Sequence, residues 1–245
     1  MNKITGKYNT AIVYTEILEE TAEKQIQTLC NQEFTKESRI RIMPDVHAGA
    51  GCTIGTTMTI SDKIVPNLVG VDIGCGMETI RIKNKHLELK KLDKLIYERI
   101  PSGFAIREAA HKYNDEIDLS QLKCLQRGKF NINRAEKSLG TLGGGNHFIE
   151  VNKDEDGNLY LVIHSGSRHL GLEVATFYQE EAYRSLHGNS QTDLAQLIQE
   201  YKQTGREKDI EQAIERMKKE LHMDIPKPLS YVTGQLFEDY IHDMK

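Results

Sequence analysis

Asn67-Leu-Val-Gly-Val-Asp-Ile-Gly-Cys-Gly-Met-Glu-Thr-Ile-Arg-Ile82 is the stretch on which the reading of this chain turns. Apolar residues at 68–71 and an alternating run from Met77 to Ile82 predict two strands around a glycine-rich loop. Glycines at 70, 74 and 76 allow positive φ and close approach of another group. The loop therefore presents Asp72, a hard oxygen donor, and Cys75, a soft sulfur donor, in one tight turn. Both residue types bind metals once deprotonated. The residues themselves leave a second reading open, in which Cys75 is a small buried hydrophobe and Asp72 caps a turn.

Outward from this loop, strands are predicted at Arg39–Met43, Cys52–Ile60 and Lys63–Val65, and helices at 15–34 and 86–100. Ile17, Leu18, Ala22, Ile26, Leu29 and Cys30 mark the buried face of the first helix, with Thr15 as its cap. Leu87, Leu92, Leu95, Ile96 and Ile100 mark that of the second, which Pro101 stops. Short helices are expected at Ile106–Tyr113 and Leu119–Leu125. Phe148–Val151 and Tyr160–Ile163 pair as a hairpin across Asp154–Asn158. Helices follow at 171–187, 191–203 and 206–221, and an amphipathic helix with Leu236, Phe237, Tyr240, Ile241 and Met244 on one side closes the chain. Early strands and late helices make this an α+β protein. It reads as one domain over residues 1–245, without repeat, low-complexity tract or linker.

The 245 residues suffice for a substantial core without disulfide staples. A net charge of −4 gives no global signature of nucleic-acid binding, although a local basic groove would not show in the total. Four dispersed cysteines with no C-x-x-C pair suggest reduced thiols in a cytoplasmic protein. No apolar run is long enough to span a bilayer.

Three further segments carry chemistry-bearing residues. In Met43-Pro-Asp-Val-His47, Asp45 and His47 share a face at a strand end, where the acid can orient the histidine or simply serve a polar turn. In Leu139-Gly-Thr-Leu-Gly-Gly-Gly-Asn-His-Phe-Ile-Glu-Val151, three consecutive glycines bring backbone amides close to any docked anion. His147 can ligate a metal there, while Asn146 and Glu150 can hydrogen-bond a nucleotide. In His164-Ser-Gly-Ser-Arg168, a strand-end histidine precedes hydroxyls, free amides and a guanidinium, a plausible anion cradle. One acid, one thiol and two strand-end histidines form a mixed hard and soft donor set that suits Mn²⁺ or Zn²⁺. Beside phosphate-cradling glycines, such donors point to metal-assisted phosphoryl or nucleotidyl transfer.

Together Met43–His47, Val71-Asp-Ile-Gly-Cys-Gly76, Gly140–Glu150 and His164–Arg168 resemble, in order, the motifs of the RtcB family of GTP-dependent RNA ligases, the tRNA-splicing ligases. The resemblance implies a mixed, largely antiparallel β core flanked by helices. It also implies two Mn²⁺ ions, with Cys75 touching both and Asp72, His147 and His164 as further ligands. Asn146, His147, Phe148, Ile149 and Glu150 match part of the GTP site, and Asp45, His47 and Arg168 take supporting roles. The implied reaction joins RNA 2′,3′-cyclic phosphate or 3′-phosphate ends to 5′-hydroxyl ends in tRNA splicing or RNA repair. The small protein archease is a possible partner, and no membrane is involved.

Family members are considerably longer, and the part missing here carries a further metal-ligand histidine and the histidine that takes up GMP. His86, His111, His169, His187, His222 and His242 lie in no matching motif. The expectation is therefore a chain incomplete at its C-terminus. The alternatives are a shortened, non-ligating metal- or nucleotide-binding module and a metal-dependent phosphoesterase for cyclic-phosphate ends.

Overall fold

The computed structural model describes residues 2–84, 86–188, 190–220 and 224–245. The chain divides into two compact units: Met1–Gly70 with Thr176–Glu238, and Val71–Ala175 with Asp239–Lys245. Both belong to the α+β class.

The first unit is built on a four-stranded sheet in the order β1-β2-β3-β4, from β1 (Asn2–Thr5), β2 (Thr10–Val13), β3 (Ile40–His47) and β4 (Ile54–Met58). The β1–β2 and β3–β4 pairs are antiparallel and β2–β3 is parallel. Helix α1 (Glu20–Cys30), which lies between β2 and β3 in sequence, turns Ala22, Ile26, Leu29 and Cys30 inward, as the 3.6-residue spacing predicts. It starts later than predicted. Thr15 closes a local turn on Ile17 instead of capping the helix, and Ile17 is 87% exposed. Ile4, Ala11, Val13, Ile40 and Ile42 from the sheet join Leu186, Ile225, Leu229 and Tyr231 in one core. β3 runs past Met43 to His47, with a register irregularity between Ile42 and His47. Pro44 lies inside that interval and has no N–H for the ladder.

Two predicted strands beside the glycine loop are not formed. Lys63–Val65 contributes only an isolated bridge, Ile64 to Val232. Pro66–Val69 is a single helical turn, α2, with the proline at its first position, where fixed φ and a missing N–H favour helix. Gly70, at φ 104°, then leads into the second unit.

That unit holds a three-stranded antiparallel sheet in the order β5-β7-β6, from β5 (Gly76–Ile82), β6 (Phe148–Lys153) and β7 (Leu159–Ser165). The predicted β6–β7 hairpin and the strand after Gly76 are both present. Helix α3 (Leu89–Arg99) forms within the predicted 86–100 span, but none of its residues is buried. Ile106–Tyr113 is not the expected helix. The chain forms 3₁₀ turns at Lys112–Glu116, Leu119–Gln121 and Lys123–Gln126, followed by α4 (Ile132–Ser138). The Arg107 backbone N–H bonds to Lys137 O and its guanidinium donates to Leu139 O and Gly140 O, so tertiary contacts override the local helical preference.

Helices α5 (Arg168–His187), α6 (Ser190–Gln203), α7 (Ile210–Glu220) and α8 (Gln235–Asp243) complete the chain. The predicted end of the 206–221 helix and His222 fall outside the described residues. No described helix is long and apolar enough to cross a membrane.

Candidate metal centre

Strand register assembles the site. Gly76 pairs with Ser165 and Met77 with His164 across β5–β7, while Phe148 pairs with His164 across β6–β7. Cys75 and His147 are the residues immediately before β5 and β6. His164 on the central strand is thus flanked by both strand entries. Residues 89 positions apart meet: Cys75 Sγ lies 2.9 Å from His164 Nε2.

The donor atoms of Cys75, His147 and His164 all lie within 4.8 Å of one another. Metal–nitrogen and metal–sulfur bonds of about 2.0–2.3 Å let one ion reach three donors so spaced. His164 Nδ1 is 3.0 Å from the carbonyl oxygen of Asn146. A proton on Nδ1 satisfies that contact and leaves Nε2 as the free lone pair, a frequent way of orienting a ligand histidine. Phe148 packs edge-on against the His164 ring at 5.4 Å.

Asp72, predicted as a fourth ligand, stands outside this three-residue group and reaches it through His147. Its Oδ2 lies 2.9 Å from His147 Nε2, and its Oδ1 accepts from the Ser167 backbone N–H at 3.1 Å and hydroxyl at 3.0 Å. With Nε2 turned to Asp72, His147 Nδ1 is buried without a hydrogen-bond partner. That nitrogen lies against Gly143, beside the Arg168 guanidinium. Donor chemistry and spacing fit a transition-metal ion.

Burial pushes the Asp72 carboxyl up, but the bonds from His147 and Ser167 outweigh it and hold the group below its ordinary value. Burial, and secondarily the charge of Asp72, raise the Cys75 thiol. A bound cation would reverse that tendency by favouring the thiolate.

The other predicted residues occupy distinct places. Gly143 and Gly145 have positive φ. A Cβ on Gly143 would overlap Arg168 Nη1 and His147 Nδ1, so glycine is required for this close approach. Ile149 and Glu150 continue along β6, and the Glu150 carboxylate accepts from Asn152 Nδ2 at 2.8 Å.

Arg168 is committed within the protein: Nε donates to Thr141 Oγ1 and Nη2 to the carbonyl of Gly103, both at 2.9 Å. Its φ of 59° is the only positive value at a described non-glycine residue, a strained conformation held by these contacts. Burial, then the positive charge of Arg134, lower its pKa.

Asp45 and His47 lie on β3 in the first unit, where His47 Nδ1 meets the backbone carbonyl of Asp45 at 2.8 Å instead of its carboxylate. Sequence reading did not single out Ser167 as the residue orienting Asp72. The Ser165-Gly166-Ser167 turn after a strand-end histidine was the available signal.

A family profile described as "tRNA-splicing ligase RtcB" matches residues 25–207. The chain is 31% identical over 204 residues to the RNA-splicing ligase RtcB of Escherichia coli K12, covering 74% of this chain and 50% of that protein. It is 30% identical over 227 residues to the tRNA-splicing ligase RtcB of Aeropyrum pernix, covering 69% and 47%. With the corresponding protein of Archaeoglobus fulgidus the figures are 29% over 224 residues, 70% and 46%. The chain thus spans about half the length of the curated relatives it matches. The profile match extends through the Cys75, His147 and His164 segments, and the chain belongs to the RtcB family.

Proposed function

We propose that this chain takes part in RtcB-type RNA ligation, joining 2′,3′-cyclic phosphate or 3′-phosphate ends to 5′-hydroxyl ends with GTP and Mn²⁺, in tRNA splicing or RNA repair. The observation that carries this reading is the convergence of Cys75, His147 and His164 on one point beside Asp72, in a chain of this family. These four side chains would hold the manganese. Bound Mn²⁺ supplies charge neutralisation at phosphate oxygens.

In this reading Asn146, His147, Phe148, Ile149 and Glu150 form part of the guanine-nucleotide site, with the Gly143–Gly145 amides beside it. Ser167 orients Asp72, the Asn146 carbonyl orients His164, and Arg168 braces the glycine loop. Asp45 and His47 are assigned a supporting role. No histidine of this chain is assigned as the acceptor of GMP. The 245 residues are read as the N-terminal portion of one catalytic domain, acting in the cytoplasm, with archease as a candidate partner. The free thiols of all four cysteines agree with a reducing compartment.

A second reading is a metal- or nucleotide-binding module that does not ligate, for which the three-residue donor group alone would suffice. Incubation with Mn²⁺ and GTP labelled at the α-phosphate distinguishes the steps. We expect no covalent label on the 245-residue chain and label on a chain of family length; label on the short chain would place the missing nucleophile within it. Separately, Cys75→Ala is expected to abolish stoichiometric Mn²⁺ binding measured by calorimetry, and unchanged binding would remove Cys75 from the ligand set.

A further inference from the structure

The loop from Gly140 to Gly145 leads into His147, and Gly140, Gly143 and Gly145 all have positive φ. A glycine-rich backbone has many conformations within reach, so holding one of them costs entropy that contacts from elsewhere must offset. The loop begins where α4 ends, at Ser138. The last carbonyls of a helix lack intrahelical partners and carry the negative end of the helix dipole. Here one residue from another segment meets that end. The Arg107 backbone N–H donates to Lys137 O at 3.0 Å, its Nε to Leu139 O at 3.1 Å and its Nη2 to Gly140 O at 2.7 Å. A Cβ on Gly140 would crowd the guanidinium at 3.2 Å, so the glycine itself admits this approach. Arg107 forms no ion pair among the described residues, and its side-chain bonds all go to the root of the loop.

Arg107 is one end of a longer joint. Pro101 O accepts from the Leu142 N–H at 2.9 Å, and the Gly103 N–H donates to Gly143 O at 2.7 Å. Ser102 and Gly143 form a parallel bridge. Residues 101–107 therefore run along residues 137–143. The carbonyls of Leu139, Gly140, Leu142 and Gly143 are each held: the first two by Arg107, the third by the Ser165 hydroxyl and the last by Gly103. Gly143 lies so close to His147 Nδ1 that a Cβ would overlap it. A shift at the root of the loop is thus passed, through Gly143, to the ring of the metal-site histidine.

We propose that Arg107 is a positioning residue for the metal centre: its guanidinium locks the root of the glycine loop and so holds His147 where it can share an ion with Cys75 and His164. This role rests on the reading of those three residues as metal ligands, and it falls to a side chain that touches no metal. Arg168 braces the middle of the same loop through Thr141, and Arg107 braces its start. A planar guanidinium with fixed donor directions spans two neighbouring carbonyls, which the point charge of a lysine does not. The residue is therefore not exchangeable for another cation.

Titration of the full 245-residue chain with Co²⁺ tests this without any ligation chemistry. It yields an affinity and a visible spectrum that reports the ligands and geometry around the ion. Arg107→Gln is expected to weaken Co²⁺ binding at least about tenfold, the scale seen when a residue that orients a ligand is lost, and to change the spectrum. Arg107→Lys keeps the charge without the fork and is expected to lose affinity as well. Arg107 lines an open cleft of about 600 Å³, which a free guanidinium ion can enter. Guanidinium well below denaturing concentrations should therefore recover most of the affinity lost in Arg107→Ala, and leave the unaltered chain as it was. A lower melting temperature in Arg107→Gln with native affinity and spectrum overturns the proposal, because the contact is then a brace for the fold alone. Should Arg107→Gln not fold, native affinity in Arg107→Lys overturns it equally. Absence of Co²⁺ binding by the unaltered chain overturns the metal-site reading itself, and this role falls with it. Normal binding by the unaltered chain beside unchanged variants removes only the role of Arg107.

Discussion

Gly166 leaves no space for a side chain, because a Cβ there would overlap the Asp72 carboxylate. Its neighbour Ser167 holds the same carboxylate from the other side with two hydrogen bonds, and Gly171 leaves room for the Ser167 hydroxyl. The conformation of a proposed metal ligand is therefore set by a turn that does not itself bind metal. Gly166→Ala is expected to lower Mn²⁺ affinity at least about tenfold, the scale of losses when partners that orient a ligand are removed. Calorimetric titration measures this, with thermal melting to show that the fold persists. Retained affinity would mean that Asp72 does not depend on this turn. The residue types of the cluster were legible in the sequence. The task of Ser167 and the internal commitment of Arg168 were not, because both depend on partners 95 and 65 or fewer positions away that no local pattern names.

At the scale of elements, the β6–β7 hairpin shows local chemistry deciding structure. In its turn the Asp154 carboxylate accepts from the backbone and side-chain nitrogens of Asn158 and from the Tyr160 hydroxyl. These bonds, led by the Asn158 side chain, hold Asp154 below its ordinary 3.8. The turn's contribution to stability is therefore whole above that value and is lost as pH falls through the lower folded value. The same bond raises Tyr160 above its ordinary 10.0, so its part is whole below that value and is lost as pH rises through the higher folded one. Asp154→Asn should flatten the acid limb of hairpin stability and remove the upward shift of Tyr160, both readable by NMR titration; an unchanged Tyr160 titration would contradict the bond. The hairpin was legible because its turn residues are local. Ile106–Tyr113 was misread as helix for the opposite reason, since Arg107 is bound to carbonyls more than thirty positions away.

Across the whole molecule the two units differ in how much they bury. Among the described residues, twenty buried hydrophobic side chains belong to the first unit and six to the second, whose helix α3 buries none. Apolar burial is the main favourable term in folding, so the second unit should be the less stable one. Hydrogen exchange is expected to be faster in β5–β7 than in β1–β3 by on the order of tenfold or more. Equal protection would show one cooperative unit. The sequence by itself determined the α+β class, the β6–β7 pairing, the α1 core face and the identity of the candidate ligands, because periodicity, turn chemistry and donor type are properties of neighbouring residues. Only the tertiary structure decided that Arg168 braces the glycine loop. It also showed how the loop from Asp72 to Gly76 meets its partners. That meeting follows from the β5-β7-β6 register, which sets Cys75 and His147 on either side of His164. Register is a relation between distant segments, and no single stretch of the chain contains it.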